Sequence, residues 1–213
     1  LENSYRKGYK HLLNDINSIM ATEQRLFDKW EQAAFRAGLQ ARTKASMAWF
    51  RQQVSSSNVS RKSLVAQGPR RSRQMYGSMY NFSYDPKTKG ELPYYDRFPL
   101  CIPIQKAKGG FHGLNLHYLH PAIRAKFLDS LLDITNNDKF DRTTKMKLTY
   151  AFVKASSNLR FYKPCFKHYL SSHIGGPLLL IEPADWEIAI FLPTESFRKV
   201  AKDTVWKESR KQF

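Results

Sequence analysis

The spacing of the apolar residues changes near residue 75, and this change limits the chain to a mixed fold. Thr22 can cap a helix whose apolar side chains recur at intervals of three and four residues, at Leu26, Trp30, Ala33, Ala37 and Ala41. The pattern continues to a serine run at residues 55–57. From Met75 onward, large apolar residues instead alternate with other residues, as at positions 80, 82 and 84. We therefore predict an α+β protein, with an N-terminal basic helical arm followed by a compact, mostly antiparallel sheet domain with packed helices.

The predicted arm covers residues 1–57, a basic linker covers residues 58–74, and the α+β domain covers residues 75–213. The linker is indicated by Gly68-Pro69, a pair that interrupts regular structure, and by the arginines that follow it. These charges would suit a solvated tether and a phosphate-contacting segment that orders on binding equally well.

Three strands are predicted to open the α+β domain as a meander. They lie at residues 80–84, 98–104 and 111–119, with turn-forming residues between them. Pro99 and Pro103 lack backbone donors, which predicts an edge position or a bulge for the second strand.

Two helices and a final group of elements complete the predicted domain. The first helix starts at His120-Pro121, and its buried residues are Ile123, Phe127 and Leu131. Asp141 can cap the second helix, whose inward residues are Met146, Tyr150 and Val153. Two strands are expected at residues 178–181 and 186–192. Thr194 is expected to open a terminal helix with one apolar side, formed by Phe197, Ala201, Val205 and Trp206.

The chain carries a large excess of positive charge, with 35 Lys and Arg against 18 Asp and Glu and a formal net charge of +17. The excess is greatest in residues 1–74, which hold 14 basic and 5 acidic side chains. A field of this sign attracts phosphate polymers without specifying a sequence, so we expect a nucleic-acid partner. No uninterrupted apolar run approaches the length of a membrane-spanning helix, so no membrane partner is expected.

Twelve side chains are candidates for contacting DNA. Ten are basic and suited to phosphates, and two are tyrosines suited to stacking on unpaired bases at a strand end. The candidates are Arg36, Arg42, Lys44, Arg61, Lys62, Arg70, Arg71, Arg73, Lys87, Lys89, Tyr94 and Tyr95. Tyr80, Phe82 and Tyr84 alternate, which favours burial in the sheet for these three rings.

No group of residues has the spacing of a catalytic or metal site. His112 and His117 would lie on opposite faces of a strand, and His120 lies at a helix entry. Asp185 and Glu187 would share a strand face but lack the following lysine that is common in nucleases, and Asp96 fits an ion pair with Arg97. We therefore predict no catalytic residues, no metal, no cofactor and no enzymatic activity.

Three segments carry a resemblance to a known family. They are residues 79–100 (MYNFSYDPKTKGELPYYDRFPL), 110–119 (GFHGLNLHYL) and 186–193 (WEIAIFLP). Across roughly residues 75–210 the chain resembles the DNA end protector, or DNA terminus, proteins found in virions of T-even-type tailed bacteriophages.

The resemblance implies a non-enzymatic protein that binds the ends of packaged double-stranded DNA and shields them from host exonuclease. It also implies a place in the virion head or neck, near other proteins of the portal or neck, and in the host cytoplasm during assembly and after injection. An oligomer is compatible with this role. Two alternatives remain: a structural component of the neck, tail or baseplate, and a metal-dependent head-completion nuclease.

Overall fold

The protein is described by a computed structural model over residues 32–39, 44–56, 69–135 and 137–211. Its fold is the predicted mixture of helices and a mostly antiparallel sheet. The strands are β1 (Arg70–Arg71), β2 (Met79–Asn81), β3 (Tyr95–Asp96), β4 (Leu100–Ala107), β5 (Gly110–Asn115), β6 (Phe166–Leu170), β7 (Leu178–Ile181) and β8 (Phe197–Arg198). Six of them form one sheet in the order β1-β7-β2-β4-β5-β6, and β3 pairs with β8 separately.

The predicted meander is confirmed as the centre of this sheet, where β2, β4 and β5 are neighbours. The edge position considered for the second strand is wrong, but the bulge is confirmed, because the register of β4 against β5 shifts between Pro103 and Gln105. The predicted third strand ends early, at Asn115. Its side chain accepts a hydrogen bond from the His117 amide and starts a 3₁₀ turn, Leu116–Tyr118.

The helices lie mainly around one face of the sheet. They are α1 (Lys44–Ser56), α2 (Pro121–Thr135), α3 (Arg142–Ser156), α4 (Trp186–Ala189) and α5 (Lys202–Lys211), and residues 32–36 are also helical. Asp141 caps α3 as predicted, because its carboxylate accepts a hydrogen bond from the Thr144 amide at 2.7 Å. Val153 is fully buried, but the inward prediction for Met146 is wrong, since 43% of that residue is exposed. The predicted cap at Thr22 lies outside the described residues.

The two faces of the sheet have different cores. Met79, Leu100 and Leu114 belong to a core shared with the helices, which also includes Phe127 and Trp186. The opposite face buries an aromatic cluster that consists of Tyr80, Phe82, Tyr84, Phe111 and Tyr169 together with Cys101 and Leu178. The predicted burial of residues 80, 82 and 84 is therefore confirmed.

Two predictions for the C-terminal region are wrong. Residues 186–192 are not a strand, because a 3₁₀ turn at Pro183–Asp185 leads directly into α4. A short apolar run such as residues 186–192 fits a buried helix as well as a strand, so its composition does not distinguish the two. The terminal helix begins at Lys202 rather than near Thr194, because Phe197 and Arg198 pair with β3. Of the described helices, none is both long and apolar enough to cross a bilayer.

Candidate nucleic-acid interface

The edge strand β1 carries two of the predicted phosphate contacts. Arg70 and Arg71 pair with Leu179 and Leu178 of β7, and both arginines are exposed. They therefore belong to the sheet rather than to the predicted linker. Arg73, just beyond the strand, is exposed as well. Antiparallel pairing fixes the backbone of these residues, so their positive charges are held at the sheet edge.

Arg71 also lines a cavity of about 410 Å³, which brings it together with Arg142 and Lys145 from the start of α3. Glu182 is the one acidic residue in the lining of this cavity. The sequence did not reveal this group, because Arg71 and α3 are far apart along the chain. The cavity wall is therefore positively charged beside the β1 edge.

A second cavity brings together three of the predicted residues. Lys87, Tyr94 and Tyr95 line a space of about 480 Å³, which we call the tyrosine pocket. Its further walls include three tyrosines and a lysine that the sequence analysis missed, namely Tyr84, Tyr118, Tyr169 and Lys167. Five tyrosines and two lysines thus surround one recess, in the combination that single-stranded nucleic-acid sites use.

The rings of the tyrosine pocket are held in place by other side chains. Tyr94 lies 6.0 Å from Tyr118 between ring centroids, and Tyr84 lies 4.8 Å from Tyr169. The Lys167 ammonium lies over the Tyr118 ring, 4.1 Å from its centroid. Burial lowers the pKa of Lys167. Burial also raises the pKa of Tyr84, Tyr118 and Tyr169, so these phenols stay neutral at physiological pH.

The turn that follows Tyr84 forms one rim of the tyrosine pocket. Lys89 makes an exposed ion pair with Asp85 at 2.8 Å, which raises the pKa of Lys89 and lowers that of Asp85. Lys199 donates hydrogen bonds to the carbonyl oxygens of Gly90 and Leu92. Lys87 is exposed, and no ion pair joins it to an acidic residue in the described part of the chain. Its charge is therefore the more accessible of the two predicted turn lysines.

The remaining candidates lie in the N-terminal part of the chain. Arg36 is exposed in the helical residues 32–36. Arg42, Arg61 and Lys62 lie outside the described residues. Lys44 is the first residue of α1, and its side chain is not described.

Asp96 has a buried partner that the sequence analysis did not find. Instead of pairing with Arg97, its carboxylate lies 2.7 Å from Nδ1 of His117, and both side chains are completely buried. It also accepts hydrogen bonds from the amides of Phe98 and Ser196 and from the Asn115 side chain. Burial alone would raise the pKa of Asp96, but His117 and these donors outweigh it and lower the pKa.

This arrangement extends to Thr194, whose hydroxyl oxygen lies 3.2 Å from Nε2 of His117. An acid, a histidine and a hydroxyl joined in this order by hydrogen bonds resemble a catalytic triad. A triad needs a nucleophile that a substrate can reach. Thr194 is only 1% exposed, so the group supports the fold.

The acidic residues considered for nuclease chemistry are buried as well. Asp185 and Glu187 lie in adjoining helical turns rather than on a strand, and the Ser46 hydroxyl donates a hydrogen bond to Glu187. Both residues are 3% exposed. In the ranges that the structure covers, no group of three or more His, Cys, Asp or Glu residues could hold a metal ion.

The family to which the chain is similar is that of a phage DNA-protecting protein. A family model described as "Phage T4 terminal DNA protecting protein" matches residues 10–209. No curated protein and no solved structure matches the chain.

Proposed function

Because the chain belongs to the family of phage T4 terminal DNA protecting proteins, we propose that it binds the ends of double-stranded DNA and shields them from exonuclease. The family match carries this proposal, since residues 10–209 include all but short terminal stretches of the chain. The resemblance seen in the sequence had pointed to the same family.

The charge distribution supports a DNA partner. Arg70, Arg71 and Arg73 are exposed at the sheet edge, and Arg142 and Lys145 lie at the adjoining cavity. Cations of this kind gain affinity by releasing counterions from phosphates, and the gain does not depend on base sequence. We also propose phosphate contacts for Arg42, Arg61 and Lys62, which lie outside the described residues.

Protection requires only that the protein occupy the DNA end. An exonuclease starts at a free terminus, so a bound protein blocks it without breaking or making a bond. The burial of Asp185 and Glu187 supports this non-enzymatic role, because carboxylates enclosed in the core cannot hold a metal ion against a DNA phosphate. A protein that guards the genome until injection would travel with it. We accordingly propose a location in the virion head or neck, with other virion proteins there as partners.

An exonuclease challenge tests the proposal. Linear and circular duplexes of equal length and sequence are titrated with the protein, and the linear one is then exposed to a processive exonuclease. We expect tighter binding to the linear duplex and a longer lifetime of its ends. Equal binding to both forms without protection would refute end protection and favour the structural role in the neck, tail or baseplate.

The phosphate contacts are tested by the dependence of affinity on salt. We expect the logarithm of the binding constant to fall steeply between ~50 and 200 mM salt. Replacing Arg71 and Arg73 together with alanine should reduce this slope by up to about two, or one per lost phosphate contact. Arg210→Ala is the matched control, because Arg210 is exposed in α5, in the part of the chain with the smallest charge excess. An unchanged slope in the double variant would remove the β1 edge from the interface.

A further inference from the structure

We propose that the tyrosine pocket binds an unpaired nucleotide at the end of a DNA strand. The base would lie against Tyr94 and Tyr95, and its phosphate would contact Lys87 and Lys167. This inference rests on the proposed function and names the part of the DNA end that the protein holds.

The size of the tyrosine pocket fits a single nucleotide. Its volume of about 480 Å³ falls within the roughly 300–1,000 Å³ of small-molecule sites. A base that remains stacked in a duplex is covered by its neighbours and cannot enter a recess in a protein surface. A base reaches such a recess only when it is unpaired or has been turned out of the helix, and this costs least at a strand end.

The lining supplies both kinds of contact that a nucleotide needs. Tyr94 and Tyr95 are half-buried, so each ring keeps an accessible part at the pocket. Every base has an aromatic face, and stacking on tyrosine therefore tolerates any sequence. Lys87 is exposed at the rim, and Lys167 is half-buried in the wall. Two cations beside aromatic rings suit a phosphate joined to a base.

The acidic residue in the lining of the tyrosine pocket is enclosed by the protein and makes no direct contact with a bound phosphate. Asp96 lies in the lining, but its side chain is completely buried and receives four hydrogen bonds from the surrounding protein. The Tyr94 phenol adds no negative charge, because burial raises its pKa, with a further contribution from Glu208. Lys87 at the rim and Lys167 in the wall are therefore the charged side chains of the lining that a phosphate can approach.

The pocket walls are held in their positions without the ligand. Lys199 donates hydrogen bonds to the carbonyl oxygens of Gly90 and Leu92. The Tyr84 hydroxyl accepts a hydrogen bond from the Leu170 amide at 3.1 Å. Strand β6 presents Lys167 from the edge of the six-stranded sheet. A prearranged site loses less conformational freedom on binding and so retains more affinity for its ligand.

The test compares DNA ends that differ only in the terminal base. Three duplexes of identical paired sequence are used: one blunt, one with a single unpaired nucleotide, and one whose unpaired residue is abasic. Each is made with the unpaired residue at the 3′ and at the 5′ end. Stacking of one base predicts roughly 5- to 150-fold tighter binding of the unpaired nucleotide than of the abasic residue, for at least one polarity.

Variants assign this preference to the tyrosine pocket. Tyr95→Ala should abolish the preference, whereas Tyr95→Phe should retain it, because phenylalanine keeps the ring. Lys87→Ala should weaken binding of the unpaired end, and Lys87 is an exposed turn residue whose loss leaves the core intact. Tyr76→Ala and Lys126→Ala are the matched controls, since neither Tyr76 nor Lys126 lines the tyrosine pocket.

The outcomes separate this inference from the proposed function. If the wild-type protein protects linear DNA but binds nucleotide and abasic ends equally at both polarities, the inference is overturned and the proposed function stands. If neither protection nor end binding is seen, the proposed function is refuted, and the inference that rests on it is refuted as well. A preference that survives Tyr95→Ala, together with undiminished binding of the unpaired end by Lys87→Ala, would place the nucleotide elsewhere and also overturn the inference.

Discussion

Replacing Asp96 with asparagine removes a buried negative charge while keeping the shape of the side chain. One carboxylate oxygen accepts hydrogen bonds from the amides of Phe98 and Ser196, and the asparagine oxygen can keep both. The other oxygen faces Asn115 and His117, and in the variant an NH₂ group stands there. His117 can change tautomer and accept from it, but the N–H of the Asn115 side chain that pointed to Asp96 loses its acceptor.

The decrease in the free energy of unfolding follows from the hydrogen bonds that Asp96→Asn loses. One buried donor without a partner costs about 1–3 kcal/mol. The charge-assisted bond between Asp96 and His117 is also replaced by a weaker neutral one. We therefore expect Asp96→Asn to lower the free energy of unfolding by about 2–4 kcal/mol, a large part of the ~5–15 kcal/mol that stabilises a typical domain.

The difference in free energy of unfolding between the wild-type protein and Asp96→Asn should depend on pH in a defined direction. The pKa of Asp96 is lower in the folded protein than in the unfolded chain, where it is about 3.9. Its contribution to stability is therefore complete above about pH 4 and is lost as the pH falls through the folded value. The wild-type protein and the variant should differ most at neutral pH and converge in acid. Other carboxylates with lowered pKa values, such as Glu195, act equally in both proteins.

Urea titration followed by tryptophan fluorescence measures this difference, because Trp186 and Trp206 are buried. The matched control is Asp138→Asn, since Asp138 is exposed in the turn between α2 and α3. We expect the control to remain within about 0.5 kcal/mol of the wild-type protein. If Asp96→Asn is equally close, or if its deficit does not shrink below pH 4, the reasoning about the buried carboxylate is refuted.

Three further predictions concern backbone packing, the thiols and catalysis. Gly110→Ala should lower the melting temperature strongly, because a Cβ atom there would lie 1.8 Å from the Tyr169 carbonyl oxygen, whereas Gly90→Ala, in open space, should not. Cys101 and Cys165 should react with a thiol reagent only after unfolding, since burial raises the pKa of Cys101 and raises that of Cys165 to about 12; rapid reaction of the native protein would contradict this. Incubation with magnesium or manganese should leave duplex DNA uncut on a gel, and metal-dependent nicking would favour the nuclease alternative.

The elements that the sequence predicted well are those whose signals are local. Alternation at residues 80–84 predicted the buried aromatic face, although β2 covers only Met79–Asn81, and Pro121 and Asp141 marked the starts of α2 and α3. In each case the deciding residues lie within one element and its caps. Strand β1 was missed because it is only two residues long and pairs with β7, far along the chain.

The residues of the tyrosine pocket also differ in whether a local sequence pattern reveals them. Lys87, Tyr94 and Tyr95 are close in sequence, so their mixed basic and aromatic character was visible and placed them together. Lys167 and Tyr169 reach the same cavity from β6, and no local pattern joins them to residues 87–95. The alternation in β6 places Lys167 and Tyr169 on one side of that strand, a signal that would have paired this lysine with a tyrosine.

The place of β7 between β1 and β2 has a consequence for protein synthesis. While residues up to β5 emerge from the ribosome, the position between β1 and β2 stays open, because β7 has not yet been made. The β1 segment has no strand partner until then, and the arginines at the sheet edge have no fixed location. We therefore expect a nascent or prematurely terminated chain to lack this basic edge. Such a chain would therefore lack one of the surfaces that we propose for contact with DNA phosphates.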